Sequence, residues 1–325
     1  MPYQDMSLDQ LEAYRPVLTA PADFDARWAA TLAETRAHPL DVRLERVASP
    51  LRLVDVWDVT FSGFGGDRIR AWLVTPAGAV GPLPTIVQFN GYGGGRGMPH
   101  ERLFWVTAGY AHLVMDTRGQ GSAWGTGGHT PDASGGGDAA APAHPGYMTR
   151  GILDFETYYY RRVYADAVRA VEAARSLAVV DDARVVVAGG SQGGGIAIAA
   201  AGLTDVAAAL VDVPFLCHIE RGIDIADTDP YQEVARYLAV HRLHEDAALA
   251  TLAYVDGVHH AARATAPALF SAALRDPTCP PSTVFAAYRA WGGEAAIETY
   301  RFNGHEGGDA YQQLRQAAFL EERWR

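Results

Sequence analysis

The stretch from Val185 to Ile196 constrains this chain most. Apolar residues Val185 to Ala188 lead into Gly189-Gly190-Ser191-Gln192-Gly193, and an alanine-rich run, Ile196 to Ala201, follows. The order is a buried strand, a sharp turn and the start of a helix. Ser191 stands at the tip of a Gly-x-Ser-x-Gly turn, which pushes its hydroxyl beyond the sheet with a helix N-terminus behind it. Glycine on either side suits the crowding between strand and helix. In a chain with 34 glycines the pattern alone is weak. The strand before it and the helix after it carry the inference.

Composition removes several classes of function. With 325 residues, 49% of them hydrophobic, the chain can bury one large core or two small ones. A net charge of −11 without any basic run argues against a nucleic-acid partner. No apolar run reaches the length of a membrane span. The first ten residues lack the basic and apolar segments of a signal peptide, so a cytoplasmic protein is expected. Cys217 and Cys279 give neither a disulfide framework nor a metal spacing. All 27 basic residues are arginine. Without a lysine amine there is no Schiff base, no lysine-anchored pyridoxal phosphate and no phosphate-binding loop. Neither a cofactor nor a metal is expected.

The pattern predicts helices over Ser7 to Thr19 and from Pro21 to about Ala37, a helical extension over residues 1–40. Alternation over Val54 to Phe61 and the run Arg68 to Val74 predict an antiparallel hairpin. From Pro84 onward strands alternate with helices. The strands are Pro84 to Asn90, Ala111 to Asp116, the Ser191 strand, Ala208 to Val213, Pro267 to Ala272 and Ala296 to Tyr300. Helices are expected near Glu101 to Ala108, from about Phe155 to Leu177, and from Gly307 to Glu322. This predicts a single α/β domain over residues 1–325, its mostly parallel sheet flanked by helices, with functional loops at the strand C-termini. Residues 222–262 read as a partial helical cap, and residues 124–144 as a long Gly-, Ala- and Pro-rich loop over the site.

A serine hydroxyl needs a base, and the base needs an orienting acid. In an α/β-hydrolase the acid and then the histidine follow the serine. Asp276 lies just beyond the strand Leu269 to Ala272, in a proline-rich turn. His305 follows the last strand, between glycines. Asp212 is the rival acid, and Asp276 is favoured because it follows a later strand. His259 and His260 come too early to be the base, His218, His241 and His244 read as cap or surface residues, and Asp116 precedes the nucleophile. His305-Glu306-Gly307-Gly308-Asp309 is not a zinc motif, because Asp309 stands where a second imidazole is needed. An oxyanion hole needs two backbone donors. The expected pair is the N–H of Gln192 and that of Tyr92, in the loop Gly91-Tyr92-Gly93. That loop is not a dinucleotide fingerprint, since Arg96 occupies the third glycine position. Tyr92 and Phe215 are expected as pocket walls, and Arg118 and Gln120 as loop braces. These residues do not separate an esterase from a peptidase or amidase.

Gly91-Tyr92, Arg118-Gly119-Gln120-Gly121, Gly189 to Gly193, Val213 to Cys217, Asp276 to Tyr288 and Gly304-His305-Glu306 together resemble the acetyl xylan esterase / cephalosporin C deacetylase family, carbohydrate esterase family 7. The resemblance spans nearly the whole chain. It implies Ser191 as nucleophile, Asp276 as acid, His305 as base, and the Tyr92 and Gln192 amides as oxyanion hole. It also implies cofactor-free removal of acetyl groups from short xylo-oligosaccharides and cephalosporin C. A cytoplasmic, ring-like homohexamer would follow, with active sites facing an internal chamber closed to polymers.

Overall fold

The computed structural model describes residues 5–133 and 142–324. Among them nine strands form one sheet: β1 (Arg43–Arg46), β2 (Val54–Ser62), β3 (Arg68–Pro76), β4 (Leu83–Phe89), β5 (Ala111–Met115), β6 (Val180–Gly190), β7 (Ala208–Asp212), β8 (Ala268–Ala273) and β9 (Ala295–Tyr300). Their order is β1-β2-β3-β5-β4-β6-β7-β8-β9. The pairs from β1 to β3 and on to β5 are antiparallel, and every pair from β5 to β9 is parallel. The order reverses around β4, which lies between β5 and β6. A sheet of this kind leaves a crevice at the strand C-termini where its order reverses. The loops after β4 and β6 open there.

The central strands are buried on both faces, with a side-chain period of two deciding which. Ile86, Val186, Leu210 and Leu269 face one core with Trp105, Phe319 and Leu320. Val87, Val187, Val211 and Phe270 face the larger one. The helices are α1 (Leu8–Ala13), α2 (Phe24–Arg36), α3 (Phe104–Thr107), α4 (Tyr159–Arg175), α5 (Gln192–Leu203), α6 (Ile219–Ile225), α7 (Tyr231–Val240), α8 (Glu245–Ala253), α9 (Gly257–Ala261), α10 (Pro281–Ala290) and α11 (Asp309–Arg323). Four of them, α6 to α9, fill the chain between β7 and β8. No helix among the described residues is long and apolar enough to cross a membrane.

Two expectations need correction, and one strand is added. The first helix stops at Ala13, with Tyr14 already extended, although Ser7 caps its start and forms a capping box with Gln10. Pro16 bars helical backbone at the residue before it, so the helix cannot run to Thr19. Pro99–Glu101 is a 3-10 turn and α3 keeps only four residues of the helix expected from Glu101. Strand β1 was not anticipated. All four of its residues are exposed, so it carries no apolar alternation.

Arg118 is fully buried and joins distant segments. Its guanidinium donates to Asp166 on α4 at 2.6 and 2.8 Å and to Asp67 at 2.9 Å, with Asp132 at 3.4 Å. The neighbouring Gly119 takes φ +68° and donates its N–H to Thr130 O at 2.8 Å. Arg118→Met is expected to lower stability by about 3–5 kcal/mol, because it leaves buried carboxylates without their cation. Denaturant unfolding reads this; a loss under about 1 kcal/mol would contradict the bracing role.

Candidate active site

Ser191 sits between β6 and α5 with φ 56° and ψ −123°. That conformation costs about 1–3 kcal/mol in a non-glycine residue, so its surroundings must hold it. Three hydrogen bonds do. The Ser191 N–H donates to Asp212 O at 2.9 Å, and Ser191 O accepts from Phe215 N at 2.9 Å and Gly195 N at 3.1 Å. The approach of α5 explains two glycines of the motif. A Cβ on Gly189 would lie 2.3 Å from the Gly193 backbone, and one on Gly193 would lie 2.2 Å from Phe89 O.

Three residues beyond β8, Asp276 is fully buried. Its Oδ1 accepts the N–H groups of Thr278 and Cys279 at 2.8 and 2.9 Å. Its Oδ2 lies 2.9 Å from His305 Nδ1. An ionised carboxylate can only accept, so Nδ1 carries the proton and Nε2 keeps its lone pair. The loop bearing His305 is braced by Glu306, which accepts from Asn303 Nδ2 at 2.8 Å and Gly304 N at 3.0 Å. Ser191, His305 and Tyr92 open on one cavity of about 610 Å³.

Asp212, the rival acid, is not paired with His305. It accepts from Gln312 and Gln316 of α11 at 2.9 and 2.7 Å. Burial pushes its pKa up to about 6, against those hydrogen bonds. A carboxyl whose folded pKa is raised stabilises the fold fully below its unfolded pKa of about 4, and that contribution is lost as pH rises through 6. The thermal midpoint of wild type, relative to Asp212→Asn, is therefore expected to fall between pH ~4 and ~6. A rise over that window would contradict the shift.

The loop after β4 and the start of α5 are tied by two buried amides. Gln120 Oε1 accepts from Gly93 N at 2.8 Å, and Gln120 Nε2 donates to Gln192 Oε1 at 2.8 Å. Gln192 Nε2 donates to Asn90 O at 3.1 Å. Among the described residues no hydrogen bond takes up the backbone N–H of Tyr92 or of Gln192. The Tyr92 phenol is anchored from above, donating to Glu233 of α7 at 2.6 Å and accepting from Tyr147 N at 2.8 Å. Glu233 and the Tyr147 amide carried no sequence signal, since neither lies near a motif. Phe215 needs correction as a pocket wall: it is fully buried and packs edge-on against Tyr92 and Tyr231, with ring centroids at 6.1 and 4.5 Å. The cavity is lined without it.

Of the loop expected over the site, Trp124 and His144 line the cavity. Trp124 Nε1 also donates to Tyr92 O at 2.7 Å. Residues 134–141 of that loop lie outside the described residues. Asp276, Cys279 and His305 place three potential metal-ligand atoms within 4.8 Å of one another. They suit a metal poorly. Burial pushes the Cys279 thiol well up, which keeps it protonated, and the Asp276 oxygens already have their partners.

The chain matches the acetyl xylan esterase (AXE1) family over residues 1–323. An acetyl esterase of Xylanibacter ruminicola, Axe7A, is 30% identical over 288 residues, covering 86% of this chain and 62% of that protein. The chain thus spans less than two thirds of that relative. The structure of an acetyl xylan esterase from Paenibacillus sp. R4 superposes with a TM-score of 0.89 at 40% identity, over 98% of this chain and 99% of that one. Acetyl xylan esterase 1 from Thermoanaerobacterium sp. JW/SL YS485 gives 0.86 at 30% identity, over 99% and 100%. The chain belongs to the acetyl xylan esterase family of carboxylic ester hydrolases and has its α/β-hydrolase fold.

Proposed function

We propose that this protein removes acetyl groups from small acetylated sugars through an acetyl-enzyme on Ser191. The observation that carries the reading is the His305–Asp276 pair at 2.9 Å, opening on the same cavity as Ser191. His305 Nε2 takes the Ser191 hydroxyl proton as Oγ attacks the acetyl carbonyl carbon. The oxygen of the tetrahedral intermediate rests on the N–H groups of Tyr92 and Gln192. His305 returns the proton to the sugar oxygen as the C–O bond breaks, leaving acetyl-Ser191. Water then attacks the acetyl carbon and loses its proton to His305. Acetate departs as Ser191 Oγ recovers that proton. Asp276 holds the imidazole tautomer throughout and stabilises its charged form.

The family resemblance supports short xylo-oligosaccharides and cephalosporin C as acetyl donors. It also supports a cytoplasmic homohexamer, a state sedimentation velocity reads directly. Acetate release from acetylated xylo-oligosaccharides and from p-nitrophenyl acetate tests the reading, with an aminoacyl anilide as counter-substrate. Turnover of the esters is expected. Turnover of the anilide alone would favour the amidase alternative.

A further inference from the structure

A side pocket of about 250 Å³ adjoins the main cavity, and the two share Gln88, Arg102, Asp212 and Gln313 in their walls. Phe104, Trp105, His112 and Gln316 are among its further walls. Amide side chains beside aromatic rings suit a sugar, whose hydroxyls need hydrogen bonds and whose ring faces are apolar. Arg102 is the unusual member. Arg102 is partly buried, whereas buried arginines meet carboxylates: Arg96 pairs with Asp58 at 2.7 Å, Arg161 with Glu34 at 2.8 Å and Arg162 with Asp132 at 2.8 Å. Among the described residues the Arg102 guanidinium has neither a hydrogen bond nor an ion pair. Partial burial lowers its pKa, and the neighbouring Glu101 charge acts in the opposite direction. The adjacent Glu101 is occupied by Thr126 Oγ1 at 2.8 Å and Met98 N at 2.8 Å.

The other charges in the walls do not answer Arg102. Asp212 is bonded to the Gln312 and Gln316 amides. Asp229 pairs with Arg236 at 2.6 Å, Glu306 braces the His305 loop, and Asp309 is exposed to solvent. His112, also in the side pocket, is kept neutral, its pKa pushed down to about 4 by burial. Its ring holds the Arg102 backbone, with Nδ1–H donating to Arg102 O at 3.0 Å. A guanidinium without an ion pair, lining a cavity, presents a planar fork that matches a carboxylate.

We propose that the side pocket is a subsite for a carboxylate-bearing sugar, with Arg102 gripping the carboxylate, so that O-acetylated uronic acid glycosides are selected over neutral ones. The proposal rests on the deacetylase reading above. Its test compares kcat/KM for an O-acetylated uronic acid glycoside with that for its uronamide, which keeps the shape and removes the charge. In wild type the acid is expected to be favoured about 10-fold or more, the effect of one charge-assisted contact. Arg102→Gln should bring that ratio to about 1, and Arg102→Lys should keep part of it. Wild type that hydrolyses p-nitrophenyl acetate yet treats acid and amide alike would overturn the subsite alone. So would an acid preference that survives Arg102→Gln, or inhibition by free acetate that depends on Arg102 while the ratio stays near 1. Wild type inactive on p-nitrophenyl acetate and on both sugars would overturn the deacetylase reading, and the subsite with it.

Discussion

Ser191→Ala is expected to lower kcat on acetyl esters by on the order of 10⁶-fold, with the fold intact. The substitution removes one oxygen. Alanine keeps the Cβ and bears the same positive-φ strain at φ 56°. The backbone bonds to Asp212, Phe215 and Gly195 do not involve the hydroxyl. The His305–Asp276 pair is untouched, so what is lost is the atom proposed to become acetylated. Steady-state kinetics with p-nitrophenyl acetate, beside a thermal melt, reads both halves. Near-normal turnover by a folded variant would sink the nucleophile assignment.

Asp276→Asn is expected to lower kcat by about 10⁴-fold, the effect of holding a catalytic histidine in the wrong tautomer. Asp276 Oδ1 accepts two backbone N–H groups, so the asparagine must keep its carbonyl oxygen there. Its NH₂ then points at His305 Nδ1 and donates to it. The imidazole proton moves to Nε2, the nitrogen that accepts from Ser191 in the proposed mechanism. KM should change little, because Asp276 is fully buried and does not line the cavity. Asp276→Ala differs: it also strands the N–H groups of Thr278 and Cys279, at about 1–3 kcal/mol each. A loss of activity in Asp276→Ala matched by full activity in Asp276→Asn would mean that the residue only shapes its turn.

The hairpin, the parallel run from β4 to β9 and the strained turn at Ser191 were legible because local pattern decides them. Buried central strands must be apolar, and the elbow must have glycine where strand meets helix. Strand β1 was hidden, since four exposed residues at a sheet edge obey no alternation. The end of α1 was legible in Pro16, which disfavours helical backbone at the residue before it. The pairing of His305 with Asp276 followed from chain order. What holds the site did not. Arg118 reaches Asp67, Asp132 and Asp166 across up to 51 positions of sequence, and Tyr92 reaches Glu233 across 141. Such contacts exist only once the sheet has assembled. The Phe215 expectation failed for a related reason. A large aromatic next to the elbow suits a wall or a core equally, and only packing against Tyr231 decides.

In the proposed mechanism Ser191 Oγ is the acylated atom. The direct measurement is labelling of the wild-type protein with a fluorophosphonate, followed by peptide mapping and assay of the same sample. One label per chain is expected, on the peptide containing Ser191, with acetyl ester hydrolysis lost in proportion. Protein that hydrolyses acetyl esters while Ser191 stays unlabelled, or that keeps its activity after Ser191 is fully labelled, would contradict the account.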